Sequence, residues 1–350
     1  MVVDYLIVGQ GICGTFLSWN LIKEGKTILV IDESRPFSST KVASGVINPV
    51  TGRRIVKTWM IDEILPFATE QYLQFGRVIG VELIRQCNVM QFHSTPQMKD
   101  AFVERYETDE QYLDIADGDQ WRPYFNYNYG VGEIDPCMLV DLNLMLHQWR
   151  LVLRQKNLLI EERFDNDELS VNNDVIHYKS ITAKKIIFCN GIDAFDLSYF
   201  SLLPYAKNKG EALLIEIPGL PKTNIFKQAL SIVPWKDDVF WVGSTYEWKY
   251  DDLQPTQSFR KRAEDILNFW LKIPFTVVDH IASERPATVE RRPFVGLHPV
   301  HSSIGILNGM GTKGCSLAPY FAHQFAQHLV NGETINPEAD VQRFKRVLSK

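Results

Sequence analysis

The sequence predicts a mixed fold, α/β plus α+β, and three observations lead to it. The opening residues run strand, helix, strand. Short β-branched segments separated by turn residues fill much of the second half. The carboxy-terminal end then returns to the strand-to-helix pattern of the opening. At 350 residues the chain exceeds what one hydrophobic core usually supports, so two domains, or one large domain with an insertion, are expected.

The elements justify this in order. Asp4 leads into the apolar run Tyr5 to Val8, and Ile12 to Ile22 carries apolar residues at helical spacing. Thr27 to Ile31 is a second β-branched run between Gly25 and Asp32, which makes a βαβ unit with a parallel sheet. From about Gln86 to Tyr129 the pattern loosens into polar and aromatic residues, as an insertion would. Asp135-Pro136 followed by Met138 to Leu153 reads as a helix, and Ala183 to Cys189, ending in Asn190-Gly191, as a buried parallel strand. Glu211 to Ile217, Ala229 to Val233 and Val239 to Val242 read as strands of an antiparallel sheet. Ser258 to Leu271 is a mixed-charge helix. Ile304 to Leu307 is a last strand before an apolar helix from about Ser316 to Leu329.

Composition narrows the function classes. With 45% hydrophobic and 23% charged residues the chain is an ordinary globular protein, and a formal net charge of −5 argues against a broad basic surface for nucleic acid. No leader pattern precedes the first strand, and no apolar run approaches the roughly 20 residues needed to span a bilayer. Five cysteines without a CxxC pair suit buried free thiols in a reducing cytoplasm, the expected compartment. The eight histidines form no ligand set, His298 and His301 are expected to face water, and no metal is assigned.

Gly9-Gln10-Gly11-Ile12-Cys13-Gly14 is GxGxxG between a strand and a helix. The first glycine permits the tight turn, the second lets backbone approach a pyrophosphate, and the third packs helix on strand. The helix N-terminus adds N–H donors and positive dipole. Asp32, with Glu33 beside it, lies 18 residues past Gly14 at a strand end, where a carboxylate can accept from an adenosine ribose. The motif predicts a Rossmann-like dinucleotide site and leaves FAD and NAD both open. Asn308-Gly309-Met310-Gly311-Thr312-Lys313-Gly314 is a second glycine-rich strand-to-helix turn, which aims another helix dipole at the same ligand and suits the charge that develops on a reduced flavin.

On these turns, together with Thr40-Lys41-Val42-Ala43-Ser44-Gly45, Cys189-Asn190-Gly191, Lys209-Gly210-Glu211, Val242-Gly243-Ser244-Thr245, Arg285-Pro286-Ala287-Thr288 and Pro293 to Gly296, the chain resembles the D-amino-acid oxidase, glycine oxidase and sarcosine oxidase family over essentially its whole length. The resemblance implies noncovalent FAD, with Thr40, Lys41, Ser44 and Gly45 along the pyrophosphate and ring and Phe164 giving backbone contacts to adenine. It implies a split FAD domain from residues 1–83, 134–207 and 301–350, and a substrate domain from 84–133 and 208–300. The cysteine that holds flavin covalently in the sarcosine oxidase branch has no counterpart before the last helix, since Cys315 falls inside it.

The absence of a second GxGxxG and of CxxC disfavours nicotinamide- and disulfide-linked flavin chemistry, so electrons are expected to come directly from an organic substrate. The implied reaction is oxidation of a small amine or amino acid, with hydride passing from the carbon that bears the amine to flavin N5 and the imine then hydrolysed. Such chemistry needs orientation above all. Arg285 matches the family's carboxylate clamp, its alternative being a structural pair with Glu284 or Glu290. Tyr246 falls where the pocket is lined, and Lys313 sits where an anionic reduced flavin favours a cation. Arg53 and Arg54 are a further candidate anion site. Ser231 and Thr312 depart from the glycine oxidase pattern. The stretch from Gly309 to Pro319 also resembles the oxidase half of bifunctional tRNA wobble-uridine-modifying enzymes. A tRNA-linked secondary amine, a 2-hydroxy acid, and a non-catalytic flavin protein therefore stand as alternatives. The residues do not choose between O₂ and a quinone as acceptor, or among oligomeric states.

Overall fold

The computed structural model describes residues 1–52, 54–109 and 111–349. Its first large sheet has a parallel centre in the spatial order Leu159–Ile160, Ile28–Ile31, Val2–Val8, Ile181–Phe188, Ile304–Asn308. These strands are near-continuous apolar runs because both faces are covered. Tyr5 and Ile7 enter the core formed with the helices Ile12–Lys23, Ile61–Ile79, Leu142–Gln155 and Gly314–Asn331, while Leu6 and Val8 enter the core on the other face. Antiparallel strands Val175–Tyr178 and Phe294–Leu297 flank the parallel centre.

The second sheet runs Thr276–Arg285, Asn208–Glu216, Val239–Gly243, Ser231–Pro234, Ile225–Lys227, Val89–Phe92, Val131–Ile134, Leu113–Ile115. Every neighbour is antiparallel except Ile225–Lys227 on Val89–Phe92, which is parallel and joins two distant stretches of chain. One face packs on the helix Gln257–Trp270 through Phe259, Ala263, Leu267 and Trp270. The other looks toward the parallel sheet, and Trp241 Nε1 ties the two halves by donating to the Val42 carbonyl at 3.0 Å.

Three sequence expectations shift. Met138–Val140 is a strand between Val46–Ile47 and Ile84–Gln86, and the helix begins only at Leu142, where Asp141 Oδ1 accepts from Leu144 N at 2.9 Å. The apolar spacing ran through both elements, so only the cap marks the change. Gln228–Leu230 is a turn, closed by Gln228 N on Leu230 O at 3.0 Å, so the strand expected from Ala229 starts at Ser231. His298 does not face water: it is buried, and its Nδ1 accepts from the backbone N–H groups of Val300 and His301.

Candidate active site

A cavity of about 960 Å³ runs between the two sheets, from Asp32 and Phe164 at one end past both glycine turns to Arg285. At the amino-terminal turn Gly9 has φ +98°, and a Cβ on Gly14 would lie 1.8 Å from the Gly9 carbonyl oxygen. Only glycine lets the helix start this close to the strand. Thr40 Oγ1 accepts from Ile12 N at 3.2 Å. Among the described residues the N–H groups of Gly11, Cys13 and Gly14 have no acceptor, so the helix end presents free donors. Asn190 Oδ1, on the same wall, is buried without a hydrogen-bond partner.

Asp32 is held firmly. Its Oδ2 accepts from Gln10 N at 2.8 Å, its Oδ1 from Ser34 N and from Arg150 Nη1, both at 2.7 Å. Arg150 is buried and also donates to Gln10 Oε1, the Asp32 carbonyl and Glu161. No local signal marked Arg150, which lies 118 residues from Asp32. Glu33 lines the cavity but pairs with Arg35 at 2.5 Å. Lys41 Nζ points at the turn beneath it, donating to the Ser34 and Arg35 carbonyls. Ser44, Gly191 and Phe164 line the cavity, the last stacked on Tyr178 at 4.8 Å.

The carboxy-terminal turn mirrors the first. Gly309 and Gly311 have φ +79° and +56°, Gly311 N donates to the Pro286 carbonyl at 3.1 Å, and Gly311, Thr312, Lys313 and Gly314 line the cavity. Burial lowers the Lys313 ammonium from its ordinary range, and Arg291 and Arg292 lower it further. A like-charge cluster of this kind invites an anion. Gly14, Gly45 and Gly309 stand behind the cavity lining. Gly45, at φ +82°, is pressed to within 2.1 Å, measured from its would-be Cβ, of the Val140 carbonyl oxygen.

Arg285 closes the far end. Its guanidinium lies over Gly210, where an added Cβ would fall 1.8 Å from Nη2. Nη1 donates to Asn208 Oδ1 at 2.8 Å and the Thr245 carbonyl at 3.0 Å, and the group sits 4.6 Å from the Tyr246 ring centroid. Neither expected carboxylate pairs with it: Glu284 is taken by Lys207 and the Tyr250 hydroxyl, Glu290 by Arg343. Burial therefore holds an uncompensated cation at the wall, with Nη2 and Nε unspent among the described residues. Tyr246 is 58% exposed at the rim, so it is no core residue.

Cys315 is buried, its thiol pushed up to about 12 by desolvation. Arg54 is exposed, and Arg53 lies outside the described residues. Among the described residues no group of three or more His, Cys, Asp or Glu is gathered as a metal would require, and no helix is long and apolar enough to cross a membrane.

A family model described as FAD dependent oxidoreductase matches residues 4–328. Among solved structures, the chain is similar to glycine oxidase from Geobacillus kaustophilus, at 15% identity over 95% of this chain and 96% of that one, with a TM-score of 0.78. Iminodiacetate oxidase from Chelativorans sp. BNC1 is 20% identical over 98% of each chain, with a TM-score of 0.74. L-proline dehydrogenase from P. horikoshii is 14% identical over 98% of each, with a TM-score of 0.76. At these identities the likeness is one of fold.

Proposed function

Because the chain belongs to the FAD-dependent oxidoreductase family, with FAD as its cofactor, we propose that it oxidises an amine or amino acid whose carboxylate is bound by Arg285. The observation that carries this reading is the Arg285 guanidinium, desolvated at the cavity wall with no acidic partner.

The residues present fit the cofactor. Free N–H groups at Gly11 and Cys13, with the Thr40 hydroxyl, suit a pyrophosphate, while Gly14 behind them sets the helix close to the strand. Asp32, fixed by Gln10 and Arg150, suits a ribose, and the Phe164 segment an adenine. Ser44 and the partnerless Asn190 amide oxygen offer polar contacts further along, and Thr312 and Lys313 suit the end of the ring where negative charge develops. Gly191, Gly311 and Gly314 leave room on the remaining walls. The buried, protonated Cys13, Cys189 and Cys315 support noncovalent attachment. When bound, FAD supplies a hydride acceptor.

The chain's own work is orientation. Arg285 offers Nη2 and Nε to the substrate carboxylate, while Asn208 and the Thr245 carbonyl stop the guanidinium from turning. Tyr246 shields that pair from solvent. Ile225, Val233 and Trp241 make an apolar floor that excludes water from the reacting carbon. A neutral amine is the reactive form, so no general base is required of the protein.

Anaerobic mixing with D-amino acids, glycine, sarcosine and proline tests this by bleaching of the flavin spectrum. Arg285→Ala is expected to raise KM roughly ten- to a hundredfold, and Arg285→Lys to restore only part of it. An unchanged KM removes Arg285 from the site.

A further inference from the structure

The sheet that carries Arg285 holds a second half-buried cation with no acidic partner among the described residues. Lys227 ends the strand Ile225–Lys227 and lines the same cavity. Among the described residues its ammonium meets no carboxylate and makes no hydrogen bond. Its titratable neighbour is the Cys137 thiol, which burial keeps protonated and therefore uncharged. Desolvation lowers the Lys227 ammonium from its usual range. Elsewhere this fold pairs such a group: Lys209, 1% exposed, has Glu211 at 3.3 Å and the Gln254 carbonyl at 2.6 Å.

The strand register connects the two cations. Lys227 lies across from Ser231, Ser231 from Gly243, and Gly243 from Ala212, so these four share one face. Gly210, over which the Arg285 guanidinium lies, is two residues along from Ala212 on that face. Between the cations the strand positions are Ser231, Gly243, Ala212 and Gly210, a trough of small residues into which the Trp241 ring reaches over Gly243, about three strand spacings, or roughly 14 Å, from backbone to backbone. The long Lys227 and Arg285 side chains shorten the gap from both ends.

We propose that the substrate carries a second anionic group, carboxylate or phosphate, which lies along this trough and is bound by Lys227. The proposal rests on the amine-oxidation reading for its first anchor and specifies the substrate class of that same site. Ser231 is what makes it possible: a large side chain there would block the trough beside Lys227.

Binding of non-reacting acids to the holoenzyme tests it without turnover. Malonate through adipate, 3-phosphonopropionate, and monocarboxylates of matching length are titrated by calorimetry and by the flavin difference spectrum. At least one dianion is expected to bind roughly ten- to a hundredfold more tightly than its monoanionic counterpart. The dicarboxylate and phosphonate arms identify which anion Lys227 takes. Lys227→Met should erase the preference while leaving monocarboxylate affinity unchanged, and Lys227→Arg should keep part of it. Equal affinity for mono- and dianions, or a preference that survives Lys227→Met, overturns the proposal. Failure of every amine to bleach the flavin, with the dianion preference intact, instead overturns the proposed reaction and leaves the second anion site standing.

Discussion

The two glycine turns look alike in sequence and differ in what they ask of their glycines. In the amino-terminal turn the demand is for space against backbone, added at Gly9 to a φ of +98°: Gly9 and Gly14 would place Cβ atoms 2.7 Å from the Cys189 carbonyl and 1.8 Å from the Gly9 carbonyl. In the carboxy-terminal turn the demand is for backbone conformation. Gly309 and Gly311 are left-handed, whereas Gly314, not left-handed, has nothing nearer its would-be Cβ than Ile12 at 3.5 Å. One turn is a packing joint closed by backbone, the other a bend whose nearest obstacle is a side-chain methyl, Thr288 Cγ2 beside Gly309, with room at Gly311 and Gly314. A glycine-rich motif thus says where a helix begins without saying why each glycine is there.

Substitutions can break this contrast. Gly14→Ala should be the most damaging, costing about 3 kcal/mol or more because the obstacle is a backbone carbonyl, with loss of FAD on purification. Thermal melts and the ratio of flavin to protein absorbance measure both. Gly309→Ala must bear a left-handed alanine, and its Cβ would fall 2.7 Å from Thr288 Cγ2, so a loss of about 1–3 kcal/mol is expected, with FAD retained. Lys313→Met should give opposite signs in two measurements. Removing a cation crowded by Arg291 and Arg292 raises the melting temperature of the flavin-free protein, yet FAD affinity falls several-fold. If both move the same way, Lys313 is not facing the ligand's anionic end. Gly314→Ala should be neutral or stabilising by up to about 1 kcal/mol, since alanine favours a helical first position with ordinary contacts. A large loss there would erase the distinction between the turns.

The same contrast explains what was legible in the sequence. Gly9, Gly11, Gly14 and Asp32 announce themselves because strand, turn and helix follow within one βαβ unit, where spacing is geometry. Arg285 was visible through its family-like surroundings, but its freedom from Glu284 and Glu290 was not. That depends on Lys207, Tyr250 and Arg343 claiming those carboxylates first. Arg150 and Lys227 carry no local sign. Each acquires meaning only from strands and helices brought together from distant sequence, Arg150 against Asp32 and Lys227 beside Ser231. The strand Met138–Val140 hid inside a helical pattern because its apolar spacing was compatible with both periods.

The place of Ile304–Asn308 beside Ile181–Phe188 sets a schedule for making this protein. At roughly 5–20 residues per second on the ribosome, the first glycine turn emerges at least about 15 s before the strand that carries its counterpart. Once Ile186, Ile187 and Phe188 have emerged, their edge stays bare until that strand follows, at least about 6 s later. Nascent chains arrested in that window should be clients of chaperones, and flavin capture an event of the released polypeptide.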